Sequence, residues 1–598
     1  MLNAKRTSWD LSPIMQDAGE ENIKKELREV RGANADFIKK WKNRDDYLKK
    51  PAVLKEALDD LEKISRNYGS SGNPGFYFGL LSSLRQDDTN VKAKLNQIDE
   101  ASTKIQNDTL FFSLNISKIP KEEQAKFLGA LELAEYKHFL ESAFESAKYI
   151  LTEPEEKIMN LKSPMAHGYW EQMIETLLSK QERKVVIDGK EETKNFSEIL
   201  KLTEETNKET REEAAKVFGE ILARYSEVAE AEMNAVLANK KVNDELRGFS
   251  RPDSERHLED NLTTETVDQL IKAVTEKFEL SKKFYELKAK LFKVDKIRYF
   301  ERAVSYGEQK MKYPYEKAIE LVNKTFSGLD KKFSDILERF SEKGQIDVFP
   351  KKGKHDGAFC TDYLPIQPTY ILLNHNDTLK DVTTIAHEAG HGINAELMKE
   401  KQNALNLGTP KSTAEVASTF FEDFVLNELL KKAGEEERLS ILIEKLSGDV
   451  STIFRQTAFY NFEMELHTEF RKKGYLSKEE IGAMFKKNMS SYMGEFVDTS
   501  EAGNWWIYVP HFRNFFYVYS YTSGLLISKA LQAKVKENHE FIEKVKDFLS
   551  AGTSDSPENI FKKMGVNIAD KEFWNQGLNE FESLLNQTEE LAVKLGKI

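Results

Sequence analysis

Two histidines and a glutamate at fixed spacing are the residues of this chain best suited to chemistry. His387-Glu388-Ala389-Gly390-His391 is an H-E-x-x-H pattern. On an α-helix, residues four apart lie one above the other on the same face. His387 and His391 can then aim ring nitrogens at one point about 2.0–2.1 Å from each, the usual Zn–N distance. Glu388 projects beside that point, where a carboxylate can take a proton from metal-activated water. The chemistry implied is metal-assisted hydrolysis. The competing reading is an amphipathic helix that happens to carry two histidines. With only 10 His in 598 residues, a chance match is uncommon, and the surrounding sequence decides.

That surrounding sequence reads as a helix. Thr378 with Asp381 makes a capping-box start, and Leu379, Val382, Ile385, Ala386 and Ala389 recur at helical spacing. Gly390 and Gly392 each cost roughly 1 kcal/mol of helix propensity. Their small size leaves room for another element or a substrate to come close. Zinc needs a third protein ligand and an open fourth position. A third histidine at metzincin spacing would fall at Leu397, and position 394 is Asn rather than Gly, so that class is excluded. Ser412 to Leu430 reads as a second helix, bounded by Gly408-Thr409-Pro410 and Gly434. Glu415 lies in its first turn, 24 residues after His391, and is the third-ligand candidate. Its structural alternative is a capping box with Ser412. Glu422, two turns further on the same face, could hydrogen-bond a ligand histidine through its second nitrogen, or be a solvated surface acid.

Two flanking stretches complete the candidate site. Gln345–Phe349, Gly357–Tyr363 and Thr369–Asn374 are short, apolar or aromatic, and punctuated by Pro and Gly, which predicts a small sheet just before the metal helix. A strand there offers an edge to which an extended peptide can add main-chain hydrogen bonds. Gly357, Ala358 and Phe359 suit that role, although a purely structural hairpin fits equally. His355 and His375 read as polar loop residues. Downstream, Pro510 is a good first helical position. His511 follows, then Tyr517 and Tyr521, four apart on one face, with Tyr519 pointing elsewhere. An aromatic-rich helix is most often core.

The residues carry a resemblance. HEAGH followed by TAEVAST and FFED resembles the oligoendopeptidase F branch of the thimet-oligopeptidase-like zinc metallopeptidases. Ile346–Cys360, Trp506–Gly524, Arg247–Pro252 (RGFSRP), the EPEEKIMNLKSP stretch and Trp170 are similar to that family too, so the likeness runs from about residue 115 to the end. It implies a mainly α-helical zincin with two helical halves, a deep central channel and a small β-sheet beside the zinc helix. It implies one Zn2+ per chain on His387, His391 and Glu415, with Glu388 as general base. It also implies that His511 and Tyr521, and less directly Tyr517, stabilise the oxyanion formed at the scissile carbonyl. The expected organisation is an N-terminal helical region at 1–112, an oligoendopeptidase N-terminal-type region at 113–185 and a catalytic domain at 200–590. The expected substrates are short peptides cut internally.

Composition narrows the partners. A net charge of −12 argues against nucleic acid or anionic membranes. Cys360 is the single cysteine, which rules out an intramolecular disulfide and points to a cytoplasmic protein. The sequence MLNAKRTSWDLSPIM has no apolar signal core, and no apolar run of eighteen occurs. Nothing in the sequence speaks to oligomeric state. Two other classes compete with the endopeptidase. A catalytically silent peptide-binding scaffold would have no need of Glu388. A zinc aminopeptidase would carry its third glutamate nearer His391, but position 410, nineteen residues on, is proline; a carboxypeptidase of the same H-E-x-x-H type stays open. Along the rest of the chain, helices are expected over 20–66, a break at Tyr68–Gly75, a hairpin around Val185–Lys190 and a long helix from about Thr203 to Leu246.

Overall fold

The computed structural model describes residues 6–307 and 311–598. It is mainly helical, 72%, with small sheets. The chain divides into two compact units. The first comprises Met1–Ile150, Met311–Leu429 and Lys534–Val566; the second comprises Leu151–Lys310, Leu430–Ala533 and Asn567–Ile598. Among the described residues, no helix is long and apolar enough to cross a membrane.

In the first unit, the N-terminal helices Glu20–Trp41, Pro51–Asn67 and Thr89–Ile116 bury one face each. Phe37, Trp41, Tyr47, Leu54, Phe112 and Tyr136 form one core cluster. The expected break at Tyr68–Gly75 is shorter than the sequence implied. The next helix already starts at Gly72 and contains Pro74 and Gly75. Proline in a first helical turn lacks only an N–H that would be unpaired there anyway.

The expected sheet forms from Ile346–Asp347, Phe359–Thr361 and Tyr370–Leu372, with Tyr370–Leu372 in the middle. Its first pairing is parallel and its second antiparallel, Cys360 opposite Ile371. Phe359–Thr361 is therefore an edge strand. The N-terminal segment ties itself to this sheet: Trp9 Nε1 donates to the Ile371 and Gln345 carbonyls at 2.8 and 3.1 Å, and Tyr370 donates to the Asp10 carbonyl at 2.7 Å. His375 sits in a loop as read, but it is only 3% exposed, and its Nε2–H donates to the Tyr313 carbonyl at 2.8 Å. It is a buried tie rather than a solvated loop residue.

In the second unit, the hairpin is present as Glu182–Ile187 paired with Lys190–Asn195. Asp188 and Gly189 turn it with φ of 48° and 78°, the left-handed pair that a two-residue hairpin turn needs. The long helix begins at Lys208 rather than Thr203, because Asn207 caps it and a short helix, Phe196–Leu202, ends before it. It closes at Arg247, with Gly248 left-handed at φ 81°. Arg247 grips Glu156 with two bonds of 2.7 and 2.9 Å. This pair joins the RGFSRP and EPEEKIMNLKSP stretches, and burial of Glu156 beside it makes the link structural.

Candidate metal centre

The helix Leu379–Lys401 carries the H-E-x-x-H residues. Its start is the capping box expected from sequence: Thr378 Oγ1 accepts from the Asp381 N–H, and Asp381 accepts from the Thr378 N–H at 2.8 Å. Its later turns are fastened to the sheet and a neighbouring helix. Glu396 accepts from Thr369 Oγ1 at 2.6 Å and pairs with Arg339. Asn394 donates to the Leu549 carbonyl at 2.6 Å. A helix pinned at both ends holds its histidines in fixed register.

The second helix runs Lys411–Lys432 and supplies Glu415 and Glu422. Gly390 explains how the two helices come so close. A Cβ at that position would lie 2.9 Å from Ser418 Cα and 3.0 Å from the Ala417 carbonyl oxygen, both backbone-borne and unable to yield. Gly392 likewise faces the Phe340 ring and Cys360 Sγ. The two glycines that weaken the helix locally are what permit this packing.

The close approach assembles a donor set. Ligand atoms of His387, His391 and Glu415 all lie within 4.8 Å of one another. Glu415 Oε2 is 3.4 Å from His387 Nε2 and 3.6 Å from His391 Nε2. The His387 and His391 rings stand 5.1 Å apart at 82°. On its other side, His387 Nδ1 is 3.1 Å from Glu422 Oε2. A carboxylate there holds a hydrogen on Nδ1, so Nε2, which donates to Glu415 here, is the nitrogen that can give up its proton to become a metal ligand. The four side chains are about a quarter to a third exposed, so solvent can reach the cluster. Burial opposes charge on both His387 and Glu415. The contacts with Glu415 and Glu422 outweigh it for His387, raising its pKa to about 10. Hydrogen bonds from the two histidines likewise hold Glu415 below the ordinary carboxylate range. The pocket thus stabilises positive charge at the point where the three side chains converge, and two imidazoles with one carboxylate are a donor set that suits a divalent transition metal.

Glu388 is 6% exposed, and burial raises its pKa, partly countered by His387 and His391. The Cys360 main chain acts in the same lowering sense, which sets the edge strand Phe359–Thr361 near the carboxylate. Cys360, read from sequence only as a small semi-buried strand residue, therefore lies near the site through its main chain; no spacing in the sequence signals it. Gly357 has both main-chain groups engaged: its N–H donates to His355 Nδ1 at 3.0 Å and its carbonyl accepts from Asn374 at 2.8 Å. Ala358 and Phe359 follow it into the edge strand.

His511, Tyr517 and Tyr521 come together in the second unit. His511 stacks on Tyr517 with ring centres 5.2 Å apart and planes 9° from parallel. The Tyr517 and Tyr521 hydroxyls are 3.2 Å apart. Tyr519 does point elsewhere, buried with its hydroxyl on Asp260 at 2.6 Å. The helix does not start at Pro510, however. Pro510–Arg513 is a single 3-10 turn, and the helix proper is Tyr519–Glu537. Between them Phe515 and Phe516 have φ of 30° and 60°, a conformation that costs bulky residues of the order of 1–3 kcal/mol each. Buried groups hold it. Arg513 binds Glu232 through bonds of 2.9 and 2.6 Å, and the Phe516 N–H donates to Glu463 at 2.9 Å. Burial pushes His511 down to about 4, with Arg455 adding to the effect, so it is a neutral imidazole near pH 7.

Residues 201–580 match the model of peptidase family M3, and residues 115–180 match that of oligopeptidase F. The chain belongs to peptidase family M3. It is a metalloendopeptidase by that membership. It is 26% identical to the oligoendopeptidase F homolog of Borreliella burgdorferi, over 98% of each chain. It is also 26% identical to oligopeptidase PepF of Bacillus subtilis, over 81% of this chain and 74% of that one. In fold it is similar to oligoendopeptidase-F from Enterococcus faecium, with a TM-score of 0.69 at 19% identity, over 96% of this chain and 98% of that structure.

Proposed function

We propose that the protein is a zinc-dependent oligoendopeptidase that hydrolyses internal bonds of short peptides. The observation that carries this reading is the convergence of His387, His391 and Glu415 beside a buried Glu388 that lies near an edge strand. His387, His391 and Glu415 would hold one zinc ion, which when bound lowers the pKa of a water toward about 7 and polarises a carbonyl.

The chain's own residues do the rest. Glu422 keeps the proton of His387 on Nδ1, so that Nε2 stays a ligand. The strand Phe359–Thr361, with Ala358 before it, offers the peptide an edge on which to extend; Gly357, already hydrogen-bonded, shapes the turn into it. Glu388 takes the proton of the attacking water and passes it to the leaving amine nitrogen. Its raised pKa brings it closer to the pH at which it must both accept and donate. His511 and Tyr521, and less directly Tyr517, are the proposed donors to the oxyanion, as the family resemblance implies. A neutral imidazole N–H and a phenol are suitable donors, and removing one such donor costs about 100- to 1000-fold in rate.

The test is hydrolysis of an internally quenched peptide of about ten residues, blocked at both ends and sized for a concave peptidase site. Wild type and Glu388→Gln are compared, with metal quantified in both. Cleavage by wild type alone, with equal metal in the two proteins, supports the endopeptidase and the general base together. Cleavage only of peptides with a free terminus would replace the endopeptidase by an exopeptidase.

A further inference from the structure

Away from the candidate metal centre, the second unit contains a cavity of about 220 Å³ lined by Glu204, Tyr285, Arg302, Ser451, Arg455 and Tyr508 among others. Ser447, Ser451 and Arg455 are spaced four apart on one continuous helical run. A π-turn at Ser451–Arg455 interrupts this run between the helices Glu435–Val450 and Gln456–Lys473. Such turns widen the helix by one residue and are frequent at binding sites. Here the widening sets Arg455 at the cavity wall.

The charges around this cavity do not balance. Arg302 lies between the Tyr299 and Trp505 rings, 4.5 and 4.7 Å from their centres. Its polar contacts are the Tyr299 carbonyl at 3.0 Å and the Tyr508 hydroxyl at 3.4 Å. Arg455 lies over Phe459 at 4.7 Å and, among the described residues, reaches only Ser451 Oγ, at 3.5 Å, with its buried Nε unpartnered. Behind Arg302, Lys288 is fully buried, and its ammonium donates to the Arg302 carbonyl at 2.6 Å. Burial drives the Lys288 amine down to about 7. Among the described residues, no carboxylate comes within 4.0 Å of any of these three cations. The acids are otherwise engaged or solvated: Glu301 pairs with Arg211, Glu444 accepts from Ser305, and Glu204, the one carboxylate among the lining residues, is exposed.

Buried charge is costly unless it is paired. Two guanidiniums flanked by aromatic rings, with serine, threonine and tyrosine hydroxyls around them, make the wall donor-rich, with two cations against the single exposed carboxylate of Glu204. Guanidinium forks match tetrahedral oxyanions, and the volume admits one such ion with waters. We propose that this cavity is a binding site for a free tetrahedral oxyanion of the phosphate–sulfate class, held between Arg302 and Arg455. Tyr508 lies three residues before His511, so a bound ion would also brace the segment that carries the proposed oxyanion donors. The binding itself does not depend on that assignment or on the metal.

The test titrates sulfate into the full-length, metal-loaded protein at constant ionic strength, balanced with gluconate. Melting temperature and tryptophan fluorescence are the readouts, since Trp505 packs on Arg302. Wild type is expected to respond saturably. Arg302→Met and Arg455→Met should each need at least tenfold more sulfate for half-saturation. Phenyl phosphate, run in parallel with inorganic phosphate, separates a free ion from a phosphoryl ester; tighter binding of the ester overturns the free-ion assignment. Should either variant fail to fold, selenate-soaked wild-type crystals give a second reading, with an anomalous peak expected between the two guanidiniums. A non-saturable response, unchanged affinity in folded variants, or no anomalous peak at that position overturns the proposal.

Discussion

The candidate metal centre and the His511–Tyr521 segment are built by opposite means. The first rests on two regular helices whose side chains are placed by the 3.6-residue repeat and by one glycine contact. The second rests on an irregular path, a 3-10 turn followed by two phenylalanines in left-handed backbone, kept in place by buried Arg513–Glu232 and Glu463. Regular elements specify atomic positions from local sequence alone. An irregular turn holds its shape only because distant residues make the alternatives worse. The candidate ligands His387, His391 and Glu415 should therefore respond to substitution residue by residue, and the aromatic segment as a unit.

The largest expected effect is at Glu388. Glu388→Gln should lower kcat about 100- to 10 000-fold, the range for a lost general base, with metal content unchanged. Loss of metal in that variant would show that Glu388 is structural. Next is the donor segment. Tyr521→Phe and His511→Phe should each lower kcat by about 100-fold or more with little change in KM. The double variant should fall well short of the product of the two, because the groups act as one cluster. Full multiplicativity would break the contrast drawn here.

Smaller effects sharpen it. Glu422→Gln should weaken metal binding about 10- to 100-fold, measured by competition with a chelator of known affinity. Gly390→Ala should do the same by another route, since its methyl group must push the Glu415 helix away, and should also cost about 1–3 kcal/mol of stability by overpacking. If Gly390→Ala binds metal normally, the close approach does not position Glu415. The smallest effect is the pH dependence of stability from Glu463. Burial raises its pKa from 4.5 to about 8. The folded protein then keeps a proton that the unfolded chain has lost, so stability declines as pH rises from about 4.5 through 8. Glu463→Gln retains an acceptor for the Phe516 N–H and should flatten that decline, giving a higher Tm than wild type at pH 8 and little difference at pH 5.

The same contrast explains what the sequence disclosed. His387, His391 and the capping box at Thr378 were readable because helical spacing is a local property, and Gly390 was readable as a point of close approach. Glu415 needed one long-range assumption, that its helix folds back on the first, and the two histidines without a third partner supplied the reason. The small sheet was visible from its punctuation, although its register, with Cys360 opposite Ile371, was not. The start of the long helix at Lys208 was missed because Asn207 competes with several other polar residues as a cap. The left-handed Phe515 and Phe516 carry no sequence signal at all, since bulky residues normally avoid that conformation. Arg455 lies far in sequence from Lys288 and Arg302, so the three become a cluster only in three dimensions.

The most direct test of the central claim is X-ray absorption at the zinc edge on stoichiometrically loaded protein, with metal counted per chain. One zinc per chain, bound by two imidazoles and carboxylate or water oxygen with no sulfur, is the predicted result. Failure to retain zinc, or sulfur scattering that would place Cys360 among the ligands, would contradict the site built from His387, His391 and Glu415.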